Sequence, residues 1–265
     1  MLNFSWLAYN GVTFVALQPV FFINRLDFTR NFLMLTDLQH LLLGNSVTCW
    51  CFDIMYVGLP ILLTIAVYKN MRYKMLIAIC TSVFSLIYGL FFSAVCYMSP
   101  ELFVGFIFIP LLFSSDSLKG FYYYLHCLRF LFILIFVSAG LWKIRQAGLF
   151  NIEEMAGILL FQHNGYITSN DHDWYTKIIY CLVQHPSIAY LFYFIGTCIE
   201  FLFVIGLFTR KFDNILIIAF CLFIFFDLFL MRINYFSWMA FMGCFYFSRF
   251  YLYDNQSEKS DNVSV

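Results

Sequence analysis

Apolar residues along this chain gather into runs of about twenty, longer than the helices of a soluble core, with short polar breaks between them. Residues 50–68, 75–97, 121–142, 186–208 and 212–230 read as membrane spans, and 234–253 as a further one. The run at 4–23 is weakened by Asn10, Gln18 and Pro19, so tilting, kinking or a partly interfacial position is expected there. Residues 102–113 are short for a span and make a thin crossing only when extended to 98–115. Residues 24–45 set Arg25, Asp27, Arg30, Asp37 and His40 among leucines and phenylalanines, the pattern of an amphipathic helix lying in the interface. The pattern therefore predicts an all-α fold, a polytopic transmembrane helical bundle of about eight spans, seven if a weak run does not cross.

The polar residues inside these runs organise the rest. Residues 129–148 carry Arg129, the small-residue step Ser138-Ala139-Gly140, and Lys143 at the far end. A cation in lipid demands an answering group on a neighbouring helix. Arg129 and Glu200 each fall eight residues from the same end of their spans, about 12 Å deep at the rise of an α-helix, which predicts a structural pair or a polar pocket. By the same count Lys143 lies above Asp227, with Asp53 near that surface. Two groups are expected, Arg129 with Glu200 and Lys143 with Asp227 and Asp53. Lys143 reads either as a cation snorkelling to the interface beside Trp142 or as a reactive lysine at the mouth of a cavity.

Orientation follows from the basic residues of short loops. The turn holding Lys69, Arg72 and Lys74, together with Lys119, Arg210, Lys211 and Arg249, predicts those loops and both termini to be cytoplasmic. The loop 145–185 then faces out. It carries two short helical stretches, 151–161 and 174–184, expected to lie on the membrane as a lid, with a turn at His163-Asn164-Gly165 between them. Residues 254–265 form a polar tail expected to be disordered.

Composition fits this picture: 63% of residues are hydrophobic and 11% charged, with formal charges that balance. No basic block of the kind that binds nucleic acid occurs. The first 24 residues lack a basic start and a small-residue cleavage site and read as a retained segment. Most of the nine cysteines sit inside apolar runs as soft fillers, and Cys49-Trp50-Cys51 lacks the C-x-x-C spacing of redox motifs. His163 and His172 match no metal-ligand spacing, so no metal is assigned and both read as residues of solvated polar turns.

Arg129, Ser138-Ala139-Gly140-Leu141-Trp142-Lys143 and Gly148, followed by Pro186, Ile199-Glu200-Phe201 and Gly206-Leu207-Phe208-Thr209-Arg210, resemble the HTTM (horizontally transferred transmembrane) domain. The same residues look like the DoxX-type four-helix unit, whose arginine-to-glycine-lysine helix precedes a glutamate helix ending in Thr-Arg. The resemblance covers roughly residues 121–253. It implies N-terminal helices over 1–120, with the interfacial segment, and an HTTM/DoxX-like unit over 121–253. The HTTM family includes the membrane part of vitamin K-dependent gamma-carboxylase, whose Ala-Gly-x-Lys-Lys segment supplies a catalytic lysine. Lys143 falls on the second of those lysines, Trp142 replaces the first, and Phe225 or Asp227 stands where the family has a histidine. With the substrate-recognising extramembrane domain also missing, these departures argue against gamma-carboxylation itself.

The function expected from the resemblance is action at the extracytoplasmic face on a lipid-soluble or quinone-like molecule, in the inner membrane of a bacterium. Lys143 and Asp227 are the candidate catalytic residues, Arg129 and Glu200 the candidate cofactor pocket, and a quinone the cofactor the family suggests. The alternatives are a noncatalytic helper in maturation or secretion of a peptide or protein, with a membrane or secreted partner, and a DoxX-like subunit of a redox complex.

Overall fold

The computed structural model describes residues 2–18, 31, 33, 35–36, 43–96 and 103–248. Among the described residues every regular element is a helix. Five are long and apolar enough to cross a membrane: α2 (Ser46–Tyr68), α3 (Lys74–Cys96), α5 (Leu118–Arg145), α8 (Pro186–Leu202, continued by the turn Ile205–Phe208) and α9 (Asp213–Leu230). The remaining helices are α1 (Leu2–Tyr9), α4 (Val104–Phe108, prolonged as a tighter helix over Ile109–Ser114), α6 (Glu154–Ser169), α7 (Trp174–Gln184) and α10 (Met239–Phe247). Of the eight expected crossings, five correspond to helices that qualify by length and composition among the described residues. The interfacial helix expected at 24–45 falls largely outside the described residues, as do the end of the last run and the polar tail.

Helix ends follow local chemistry. The Asn45 side chain accepts from Val47 N at the start of α2, Asp173 accepts from Trp174 N at the start of α7, and Pro186 opens α8. In lipid such capping counts for more, because no water satisfies a bare backbone group.

The chain forms two compact units, Met1–Leu128 with Tyr235–Val265, and Arg129–Asn234. In the first, α2 and α3 pair through an aromatic core. Tyr56 stacks on Tyr88 at 4.1 Å between centroids, and Phe52 stacks on the same ring at 5.4 Å. The run at 4–23 is no straight span: its helix stops at Tyr9, Gly11 takes φ +66°, and turns carry the chain to Leu17. Asp53 fixes those turns, accepting from Val15 N at 3.0 Å, Phe14 N at 3.4 Å and the Tyr88 hydroxyl at 2.8 Å. Its carboxylate is engaged in this structural work within the first unit. The segment 103–116 runs antiparallel to α3: Phe103 packs on Gly89, the Ser82 hydroxyl donates to the Ile107 carbonyl, and Asp116 pairs with Lys74 at 2.8 Å. Residues 235–248 pack here also. Gly105 lies so close to the Ser237 carbonyl that any side chain would collide with it.

In the second unit the extracytoplasmic loop of the sequence reading is itself a packed layer. Met155, Leu159 and Ile167 of α6 and Tyr175, Ile179 and Leu182 of α7 share one core with Ala189 and Tyr193 of α8 and Leu230 of α9. The helix expected at 151–161 extends to Ser169, so His163-Asn164-Gly165 lies inside a helix instead of forming a turn.

Candidate functional site

Two buried ion pairs stand on α5, and their partners differ from the sequence expectation. Arg129, 2% exposed, does not meet Glu200. Its fork grips Asp213, the first residue of α9, through Nη2–Oδ1 at 2.7 Å and Nε–Oδ2 at 3.2 Å, and Nη2 lies 3.4 Å from the Thr209 carbonyl. A planar guanidinium holding a carboxylate with two parallel bonds is the geometry of a strong structural tie. Depth matching missed Asp213 because it counts residues along single helices. It cannot see that the Thr209–Phe212 turn brings the start of α9 to the arginine.

Lys143 takes Glu200 instead, Nζ to Oε1 at 2.8 Å, and its ammonium also sits over the Tyr193 ring at 5.0 Å. The small-residue step explains the contact. A side chain at Gly140 would press on the Phe201 ring at 3.1 Å and approach the Glu200 Cβ at 3.5 Å, so glycine lets α8 come close to α5 there. Lys143, three residues on, projects from the same face. Asp227 lies close enough to interact electrostatically with both Lys143 and Glu200, as expected for its partnership with Lys143. Glu200 is thus the carboxyl in contact with the ammonium, and Asp227 lies within electrostatic reach of both.

The two sites share a register. Arg129 and Lys143 are fourteen residues apart on α5, and Asp213 and Asp227 fourteen apart on α9. Fourteen residues is close to four helical turns, so each pair lies on one helix face, and α5 and α9 run parallel with cation beside carboxyl at both levels. That equal spacing is the sequence signal that would have found Asp213.

Within the Lys143 group, Glu200 is 3% exposed, and its second oxygen, Oε2, has no hydrogen-bond partner among the described residues. The Lys143 side chain keeps a quarter of its surface open. A buried carboxylate oxygen with an empty valence, next to an accessible ammonium and a second carboxyl, can take a ligand that both donates and accepts hydrogen bonds.

Farther along α9 the histidines separate. His172 is exposed, as a residue of a solvated turn. His163 is not: it is 4% exposed, its Nε2 lies 3.0 Å from the Leu230 carbonyl, and the Tyr175 hydroxyl donates to the same carbonyl at 2.8 Å. Gln162 donates to the next carbonyl, Met231, at 2.6 Å. These side chains close the C-terminus of α9. Burial, helped by the nearby Arg232 charge, pushes the His163 pKa down against the pull of its bond to Leu230. Burial raises that of Tyr175.

A helical chain with five apolar helices of spanning length, and with cation and carboxyl side chains paired inside one of its compact units, is a polytopic α-helical membrane protein. Compared with known protein families, characterised proteins and solved structures, the chain matches none of them.

Proposed function

We propose that this is an HTTM-type integral membrane protein that binds a lipid-soluble, quinone-like small molecule in the polar pocket of Lys143, Glu200 and Asp227, and acts on it at the extracytoplasmic face. The observation that supports this reading is the unpartnered Oε2 of buried Glu200 beside the partly open Lys143 ammonium. Lys143 supplies a donor for a ligand carbonyl, and Glu200 and Asp227 supply acceptors for a hydroxyl or places for its proton. Arg129 takes no part in the pocket. Its fork is filled by Asp213, and it holds α5 to α9.

The test is mass spectrometry of small molecules extracted from protein purified in mild detergent. The expected result is a bound apolar molecule with carbonyl or hydroxyl groups, recovered from the parent and depleted at least tenfold from Glu200→Gln and Lys143→Met variants of normal abundance. Recovery of no such molecule, or equal recovery from parent and variants, overturns the reading. A protein co-purifying in its place supports the noncatalytic helper.

A further inference from the structure

Arg232 differs from the two cations of α5. It follows the last turn of α9, it is exposed, and it holds φ +52°, a left-handed backbone conformation that costs an arginine energy and persists only where its surroundings impose it. Its guanidinium sits in the corner formed by the rings of Tyr166 and Tyr175, which stand at 81° to each other, 4.0 Å from each centroid. Those rings are fixed in turn. The Tyr166 hydroxyl donates to Asp173, whose other oxygen caps α7 through Trp174 N, and the Tyr175 hydroxyl donates to the Leu230 carbonyl. Among the described residues no carboxylate lies within ion-pair distance of Arg232, whereas Arg129 and Lys143 each have one.

Beside it is a cavity of about 270 Å³, lined by Arg232, Trp174 and Tyr175 on one side and by Phe225, Leu228 and Phe229 of α9 on the other. Trp174 and Phe225 are 59% and 69% exposed, so the apolar wall opens outward from the helix toward where acyl chains lie. One end of the cavity is an aimed, uncompensated cation, and the other follows a membrane-spanning helix.

We infer that this cavity binds one anionic glycerophospholipid, its phosphate on the Arg232 guanidinium and the start of its acyl chain along Phe225, Leu228 and Phe229. Charge complementarity selects the headgroup. A guanidinium fork matches phosphate oxygens. An aromatic wall alone suits a choline cation, but here the arginine charge repels one and, among the described residues, no acidic side chain lines the cavity. Contact with two rings set nearly at right angles limits the orientations open to the guanidinium, which lowers the ordering cost of binding. The site is separate from the Lys143 pocket and does not depend on the function proposed for it.

The test uses full-length protein in mild detergent, stripped of lipid, and follows intrinsic tryptophan fluorescence, since Trp174 lines the cavity. Short-chain phosphatidylglycerol, short-chain phosphatidylcholine and inorganic phosphate are titrated separately. The expected result is saturable binding of phosphatidylglycerol at least tenfold tighter than of phosphatidylcholine or phosphate. Arg232→Gln should lose at least tenfold in affinity and Arg232→Lys should recover part of it. Phe225→Ser, on the outer wall and away from the tyrosine corner, should weaken phosphatidylglycerol and leave phosphate unchanged, which separates loss of the site from loss of the fold. Equal binding of phosphatidylcholine, or unchanged affinity in both Arg232→Gln and Phe225→Ser, overturns the inference. Phosphate binding as tight as phosphatidylglycerol identifies a free-anion site and overturns the lipid assignment.

Discussion

Asp213 is fully buried, and its removal takes away the carboxylate that the Arg129 fork holds. Breaking one side of such a pair costs about 3–5 kcal/mol, so Asp213→Ala should lower thermal stability in detergent far more than Glu200→Gln does. Equal losses would mean that Arg129 leans on Glu200 after all. His163 gives a prediction in pH. Its folded pKa lies below the unfolded value of 6.5, so the unfolded chain binds the extra proton first. The contribution is fully present above that value and is lost as pH falls from 6.5 through the folded pKa. Thermal unfolding should therefore show declining stability over that window, and His163→Gln should flatten the decline. A His163→Gln profile that tracks the parent would assign the acid sensitivity to other groups.

Among elements, α9 leans on its neighbours at its end, because α6 and α7 supply donors to the carbonyls of buried Leu230 and of Met231. Tyr175→Phe removes one donor from Leu230 and exposes no new apolar surface. The expected cost is about 1 kcal/mol, seen as faster amide exchange in the last turn of α9, with α2 and α3 unaffected. The α5–α8 approach is more demanding. Gly140→Val places methyl groups where the Phe201 ring now lies, at an overpacking cost of about 1–3 kcal/mol, and should push Glu200 away from Lys143. Its signature is a stability loss that Glu200→Gln does not deepen. Additive losses would show that the ion pair survives the substitution.

At the scale of the whole molecule the prediction concerns sidedness. The segment 103–116 has too few residues for a standard span, yet it runs along α3 from the level of Gly89 to that of Lys74, about 22 Å at the rise of an α-helix. Asp116 thereby returns to the end of α3 that carries the basic turn. With α5 then crossing, cysteines at Asn70 and Ser117 should be labelled from one side of the membrane, and a cysteine at Asn170 from the other, in an otherwise cysteine-free chain. Labelling of Asn70 and Asn170 from the same side would show that 103–116 does not cross.

The long spans were legible from residue order alone, because length and continuous apolarity are local properties and lipid admits no alternative to a helix for such runs. That Arg129, Lys143, Glu200 and Asp227 need answering groups was legible for the same reason, since a charge in an apolar run stands out wherever the helix goes. Which cation meets which carboxyl was not. That choice rests on the turn presenting Asp213, on the close approach at Gly140 and on the parallel register of α5 and α9, none of which is a property of a single helix. The weak elements failed for a related reason. Residues 4–17 bend because Asp53, far along the chain and held in place by the Tyr88 hydroxyl, offers their backbone better partners than a continued helix would. His163 looked like a turn residue because its partners, Leu230 and Tyr175, lie on other helices. Burial and charge are written locally, whereas pairing is settled only when the helices pack and each buried polar group takes the nearest partner that satisfies it.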